Sequence, residues 1–173
     1  MNSRLITIPT YILKDILPLL KNTSYKKKIE DLLENVGKYQ TQNISYFPKD
    51  GKVERIVDGD TVVLHNGTIV RYVGITSPET NEPFEKEATE ANKKLVEGKT
   101  VNLEYDNYKA DKFGRILAYL VVDGKNVSIE MARLGMASVV IYQHKKPFTY
   151  QDQLLKAQDK AKKNKLGVWS KQL

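Results

Sequence analysis

The chain has 173 residues and a mass of 19.8 kDa, with 40% hydrophobic and 28% charged residues, enough for one domain-sized core and too apolar for wholesale disorder. It holds no cysteine, which excludes disulfide scaffolds, thiol nucleophiles and cysteine-ligated metal centres, and only two histidines, His65 and His144, which argues against a histidine-built one; no apolar run approaches the length of a membrane span. The net charge of +7 is uneven: eight basic against five acidic residues over 1–50, twelve against fourteen over 51–144, and eight against two over 145–173.

A basic end on a slightly acidic middle suits a polyanion-binding protein with a carboxylate site at its centre. The plain alternative is that Lys156, Lys160, Lys162, Lys163 and Lys165 form the solvated face of a terminal helix. At the other end, Leu5–Leu20 is apolar but interrupted by Pro9, Lys14, Asp15 and Pro18, with no small-residue cleavage site after it. It does not read as an export signal, and a cytoplasmic location is expected over a secreted one. A short helix is expected at Thr10–Leu17, ended by Pro18. A second follows Ser24, with Ile29, Leu32, Leu33 and Val36 at helical spacing and Gly37 as its stop. Residues 1–48 are thus expected to form a helical extension of two short amphipathic helices that packs on a protein partner or on the chain itself, and the protein is expected to be a monomer.

From Gly51 the pattern changes to short β-type runs. Val53–Val57 and Thr61–Leu64 flank the tight turn Asp58-Gly59-Asp60, and Asn66-Gly67 marks a hairpin into Ile69–Ile75. A helix of about fourteen residues should follow, lined by Phe84, Ala88, Ala91 and Leu95 and ended by Gly98. Thr100–Tyr105 and Arg115–Val122 read as strands, and Asp123-Gly124 turns into a helix near Val127–Leu134 that Gly135 stops. Ala137–Ile141 is a short extended piece, and Tyr150–Asn164 a last helix with Leu154, Leu155, Gln158 and Ala161 along one side. Five strands with a helix after the third make an α+β domain over 49–173 with the strand order of an OB-fold barrel and about three helices.

Four clusters carry chemistry. Val57-Asp58-Gly59-Asp60-Thr61 sets two carboxylates around a glycine, the oxygen donors that hard cations take. Val70-Arg71-Tyr72-Val73-Gly74-Ile75-Thr76-Ser77-Pro78-Glu79 places an arginine in a strand and a glutamate just past its end. Asp111-Lys112-Phe113-Gly114-Arg115 is a charged loop, and Lys165-Leu166-Gly167-Val168-Trp169-Ser170 holds the single tryptophan, read as an anchor for the last helix. Each alone passes for an ordinary turn, ion pair or packing contact.

In this order and spacing the clusters resemble the staphylococcal nuclease (thermonuclease-like) family over about Lys52 to Ser170. The resemblance implies a Ca²⁺-dependent, sequence-nonspecific nuclease acting on DNA and RNA and leaving 3′-phosphate and 5′-hydroxyl ends. It implies Arg71 and Arg115 as the guanidinium groups on the phosphate, and Glu79 as the general base. Asp60 would be a direct metal ligand, with Asp58 and Asp111 as supporting carboxylates. Thr76 stands where the family has a second metal-binding carboxylate, so a weaker or altered metal preference is expected, with the Ser77 backbone as an auxiliary ligand. Lys112, Phe113 and Tyr142 fall at substrate-contacting positions, although Phe113 replaces a tyrosine. The loop between Glu79 and the following helix is shorter than in the staphylococcal enzyme. Two other readings stay open: an OB-fold module that binds nucleic acid with little or no hydrolysis, and an interaction protein whose N-terminal helices dock a partner.

Overall fold

The computed structural model describes Lys27 and residues 47–111, 113–141 and 146–170. The helices expected at Thr10–Leu17 and around Ile29–Val36 lie outside the described residues, as do Lys112 and Tyr142. The elements below all belong to the compact unit Pro48–Leu173.

Three antiparallel strands open the unit: β1 (Asp50–Asp58), β2 (Thr61–Leu64) and β3 (Ile69–Tyr72). The Asn66-Gly67 turn joins β2 to β3; the Asn66 side chain accepts the Thr68 N–H at 3.1 Å, and the Leu64 N–H donates to the Thr68 carbonyl at 2.9 Å. Two irregularities in the β1–β2 register bend β1, so that its first residues, Asp50–Lys52, pair with β5 (Thr100–Glu104) instead. β5 pairs antiparallel with β6 (Ile116–Val122), and β6 returns to lie parallel to β3. That last pairing closes a mixed five-stranded barrel, β3-β2-β1-β5-β6, in the connectivity expected of an OB-fold. Short strands β4 (Ile75–Thr76) and β8 (Ser138–Val139) pair with each other, and β7 (Lys125–Asn126) extends β6.

Three helices cover the barrel: α1 (Glu85–Val96), α2 (Val127–Arg133) and α3 (Gln151–Lys163). Glu85 and Glu87 in the first turn of α1 and Lys93 and Lys94 in its last complement the helix dipole. The core is filled from both layers, by Val53, Val62, Leu64, Val70, Tyr72 and Leu120 from the strands and Ala88, Val96, Met131 and Leu154 from the helices. No described helix is long and apolar enough to cross a membrane.

Two departures from expectation bear on how the site is positioned. The strand expected at Ile69–Ile75 breaks after Tyr72, because Gly74 takes a left-handed φ of 79°. A Cβ there would come within 2.8 Å of Leu154 Cδ1 and of a Phe148 ring carbon, so the chain turns where α3 and its leading loop press on it. On α1 the stripe that faces the barrel is Ala88, Asn92 and Val96. Ala91 and Leu95 are half-buried beside it, and Phe84 sits at the N-cap position.

Candidate active site

Alternation along β3 sends Val70 and Tyr72 into the core and Arg71 outward. Arg71 is the register partner of Leu117 on β6, so Arg115, two residues before Leu117, emerges on the same face as a diagonal neighbour. Arg71, Arg115 and Leu117 line one cavity of about 520 Å³. Its other walls include Tyr108, Asp111 and Phe113 from the β5–β6 connection, and Lys146, Phe148 and Gln151 from the approach to α3. The two arginines are therefore brought together by barrel closure.

The turn between β1 and β2 supplies the acidic side. Asp58 folds back so that its Oδ1 accepts the Asp60 N–H at 2.8 Å, which sets the Asp60 side chain toward β3. Gly59 is required by contact: a Cβ there would lie 2.6 Å from Ser77 Cβ and 2.8 Å from Ala88 Cβ. The Asp60 carboxylate is 4% exposed and heavily engaged. Oδ1 accepts the Thr61 hydroxyl at 2.9 Å and pairs with Arg71 Nε at 2.9 Å, while Oδ2 accepts the Ser77 N–H at 2.7 Å. Arg71 is fixed in turn by donating through NH1 to the Tyr72 carbonyl at 2.6 Å. Burial pushes the Asp60 carboxyl up to about 6; the adjacent Arg71 opposes that rise, Asp58 adds to it, and the hydrogen bonds from Ser77 and Thr61 also oppose it.

Arg115 is held by a local device. Asp111 Oδ1 accepts the N–H groups of Phe113 and Arg115 at 2.9 and 3.0 Å, and its Oδ2 binds Arg115 Nε at 2.7 Å. One carboxylate thus folds the loop and aims the guanidinium, leaving the other guanidinium nitrogens for a ligand. Phe113 is 59% exposed, with the Arg115 guanidinium 5.6 Å from its ring centroid.

Thr76 lies half-buried in β4 opposite Ser138, and Glu79 is exposed in the turn that follows. That turn is closed by the Glu79 N–H donating to Glu82 Oε2 at 2.8 Å and the Glu82 N–H donating to the Glu79 carbonyl at 2.9 Å. Among the described residues no hydrogen bond or ion pair engages the Glu79 carboxylate. The structure thus brings Asp58, Asp60, Ser77 and Arg71 into direct contact and joins Arg115, Asp111 and Phe113 to them across the cavity. Thr76 and Glu79 adjoin this cluster through Ser77 in the chain.

Sequence reasoning passed over Asn92. This residue is fully buried in α1; its Oδ1 accepts the Tyr72 hydroxyl at 2.7 Å and its Nδ2 donates to the Asp58 carbonyl at 2.8 Å. Burial holds the Tyr72 phenol far above its ordinary range, so it serves as a donor. A polar residue on the buried stripe of an otherwise apolar helix face was the available signal.

The acidic turn suits one hard cation. Asp58 and Asp60 are oxygen donors two residues apart, Asp60 is buried against its neighbour's charge, and its Oδ2 carries a single hydrogen bond among the described residues. No group of three or more acidic or histidine side chains that could hold a metal ion converges among the described residues.

Comparison with known proteins agrees with this architecture. The family described as staphylococcal nuclease homologue matches residues 69–171. The SPbeta prophage-derived endonuclease YokF of Bacillus subtilis (strain 168) is 40% identical over 132 residues, covering 70% of this chain and 44% of its own length. Endonuclease YncB of the same organism is 38% identical over 129 residues, covering 69% of this chain and 61% of its own. The thermonuclease of Staphylococcus hyicus is 32% identical over 128 residues, covering 69% of this chain and 75% of its own. The chain therefore spans less than two thirds of the two Bacillus proteins and three quarters of the staphylococcal one. With β3, β5, β6, both arginines and the terminal helix inside residues 69–171, the chain belongs to the staphylococcal nuclease family.

Proposed function

We propose that this protein is a Ca²⁺-dependent, sequence-nonspecific nuclease that hydrolyses DNA and RNA to 3′-phosphate and 5′-hydroxyl ends. The observation that carries the reading is the pair of guanidinium groups on one barrel face, at one cavity, with Arg71 bound to the buried carboxylate of the Asp58–Asp60 turn. A phosphodiester is an anion that repels an attacking oxygen, and charge builds on its oxygens in the transition state. Fixed cations that need no reorganisation lower that barrier most. Arg71 and Arg115 meet this need, since each is held by a carboxylate through Nε and a guanidinium can fork to two phosphate oxygens. Glu79 orients a water and takes its proton as the water oxygen bonds to phosphorus. The bond from phosphorus to the 5′ oxygen breaks, and that oxygen is protonated to the hydroxyl. Asp60, backed by Asp58 and with Thr76 beside it, would hold the cation, which when bound supplies further positive charge at the phosphate.

The test is cleavage of single-stranded DNA across a calcium titration, with Glu79→Ala and Arg115→Ala run beside the parent. Calcium-dependent cleavage that falls about 10²–10⁴-fold in Glu79→Ala is the expected result. Equal cleavage by all three proteins would remove the assignment. Nucleic-acid binding by the parent without cleavage at any calcium concentration would favour the binding-module reading instead. A second prediction concerns the neutral ligand position. Thr76→Asp adds a carboxylate beside Asp60, and the calcium midpoint is expected to fall by about tenfold or more, because ligand charge tunes calcium affinity. An unchanged midpoint would show that residue 76 does not face the ion.

A further inference from the structure

We infer that Asn92 is a positioning residue of this site: its side-chain amide sets the strand that carries Arg71 against the turn that carries Asp58 and Asp60. The inference rests on the nuclease reading. Tyr72 directly follows Arg71, and its hydroxyl donates to Asn92 Oδ1 at 2.7 Å. Nδ2 of the same amide donates to the carbonyl of Asp58 at 2.8 Å. The first bond is buried, with Asn92 at 0% and Tyr72 at 1% exposure, and the second is partly buried at the half-buried Asp58. Asn92 is also the polar member of the Ala88–Asn92–Val96 stripe, and a Cβ on Gly59 would touch Ala88 one helical turn away. The α1 helix therefore grips the acidic turn twice, by close contact at Gly59 and by hydrogen bond at Asp58. A hydrophobic pair could fill the space of Tyr72 and Asn92, but it could not hold a backbone carbonyl in register with Arg71.

The experiment compares the parent, Asn92→Leu, and the double variant Tyr72→Phe/Asn92→Leu by thermal melting, by calorimetric titration with calcium alone, and by kcat and KM on single-stranded DNA. Asn92→Leu leaves the Tyr72 hydroxyl buried without an acceptor and should melt lower. Its kcat and calcium affinity should each fall by about 10–100-fold, the usual effect of removing a group that orients metal-site ligands, with KM nearly unchanged. In the double variant both polar ends are gone, so the melting temperature should recover toward the parent. It also keeps the test alive if Asn92→Leu alone does not fold. The kcat and calcium affinity of the double variant should stay low, since nothing holds the Asp58 carbonyl. Recovery of kcat together with stability, or unchanged kcat and affinity in the folded variants, would reduce Asn92 to a packing role and overturn the inference. If the parent does not cleave, the nuclease reading falls and the calorimetry decides for Asn92 alone. Weakened calcium binding would then sustain its positioning role, while unchanged or absent binding would overturn it.

Discussion

Arg71→Ala is expected to lower kcat on single-stranded DNA by about three orders of magnitude, with a smaller change in KM. Two losses combine. The phosphate loses a fixed, permanently charged donor, and Asp60 loses the cation that offsets its burial. A buried carboxylate stripped of its partner costs about 3–5 kcal/mol if it stays charged, so the turn would shift or take up a proton. Arg71→Lys is not expected to restore activity. The native residue binds Asp60 through Nε and the Tyr72 carbonyl through NH1, the proposed phosphate contact needs a third nitrogen, and one ammonium cannot fork in three directions. Steady-state kinetics on the parent and both variants decide the matter. A kcat for Arg71→Ala within tenfold of the parent would remove Arg71 from the chemistry.

The second large effect is on stability. Gly135 ends α2 with a φ of 70°, and Gly167 opens the C-terminal turn with a φ of 50°. The two meet back to back: a Cβ on Gly135 would fall on the Leu166 carbonyl oxygen, and one on Gly167 on the Gly135 carbonyl oxygen. The Val168 N–H donates to that same Gly135 carbonyl at 2.9 Å, so the segments cannot part without losing the bond. Gly135→Ala or Gly167→Ala should each cost about 3–5 kcal/mol, through backbone strain and a clash with atoms that cannot swing away. A fall in melting temperature of about 10 °C or more is expected in thermal denaturation. A fall of under about 2 °C would show that the C-terminal turn is dispensable. The cluster Leu166–Ser170 thus meets the end of α2 by backbone contact. Trp169 itself is half-buried, with the Lys162 ammonium 4.6 Å from its ring centroid.

Much of this architecture is legible in the sequence, because its signals are local. Asn66-Gly67, Asp123-Gly124 and Gly135 fix turns through conformations that few residues adopt, and the strand and helix periods between them need no distant partner. The order of strands around the α1 helix then leaves few ways to close a barrel. The missed features depend on partners far along the chain. Gly74 breaks a continuous apolar run because Phe148 and Leu154 crowd it, and neither is visible from Ile69–Ile75. Asn92 looks like a surface residue on a helix until Tyr72 and Asp58 are placed around it. At the site, the motifs supplied the arginines and the acidic turn. They could not show that Ser77 meets Asp60 through its N–H, or that Tyr108 and Phe148 wall the same cavity.

The barrel closes along one seam, the sole parallel pairing among the described residues, and the two arginines sit on either side of it. The hairpins on each side can form from neighbouring residues, whereas the seam waits for segments distant in sequence, the slowest kind of contact to make. An unfinished ring would keep nearly all of its strands and yet hold Arg71 and Arg115 apart. The proposed hydrolysis would then be a clock for the final folding event. During refolding, recovery of the proposed activity should lag the return of sheet signal, because the two arginines reach one cavity only when the ring is complete.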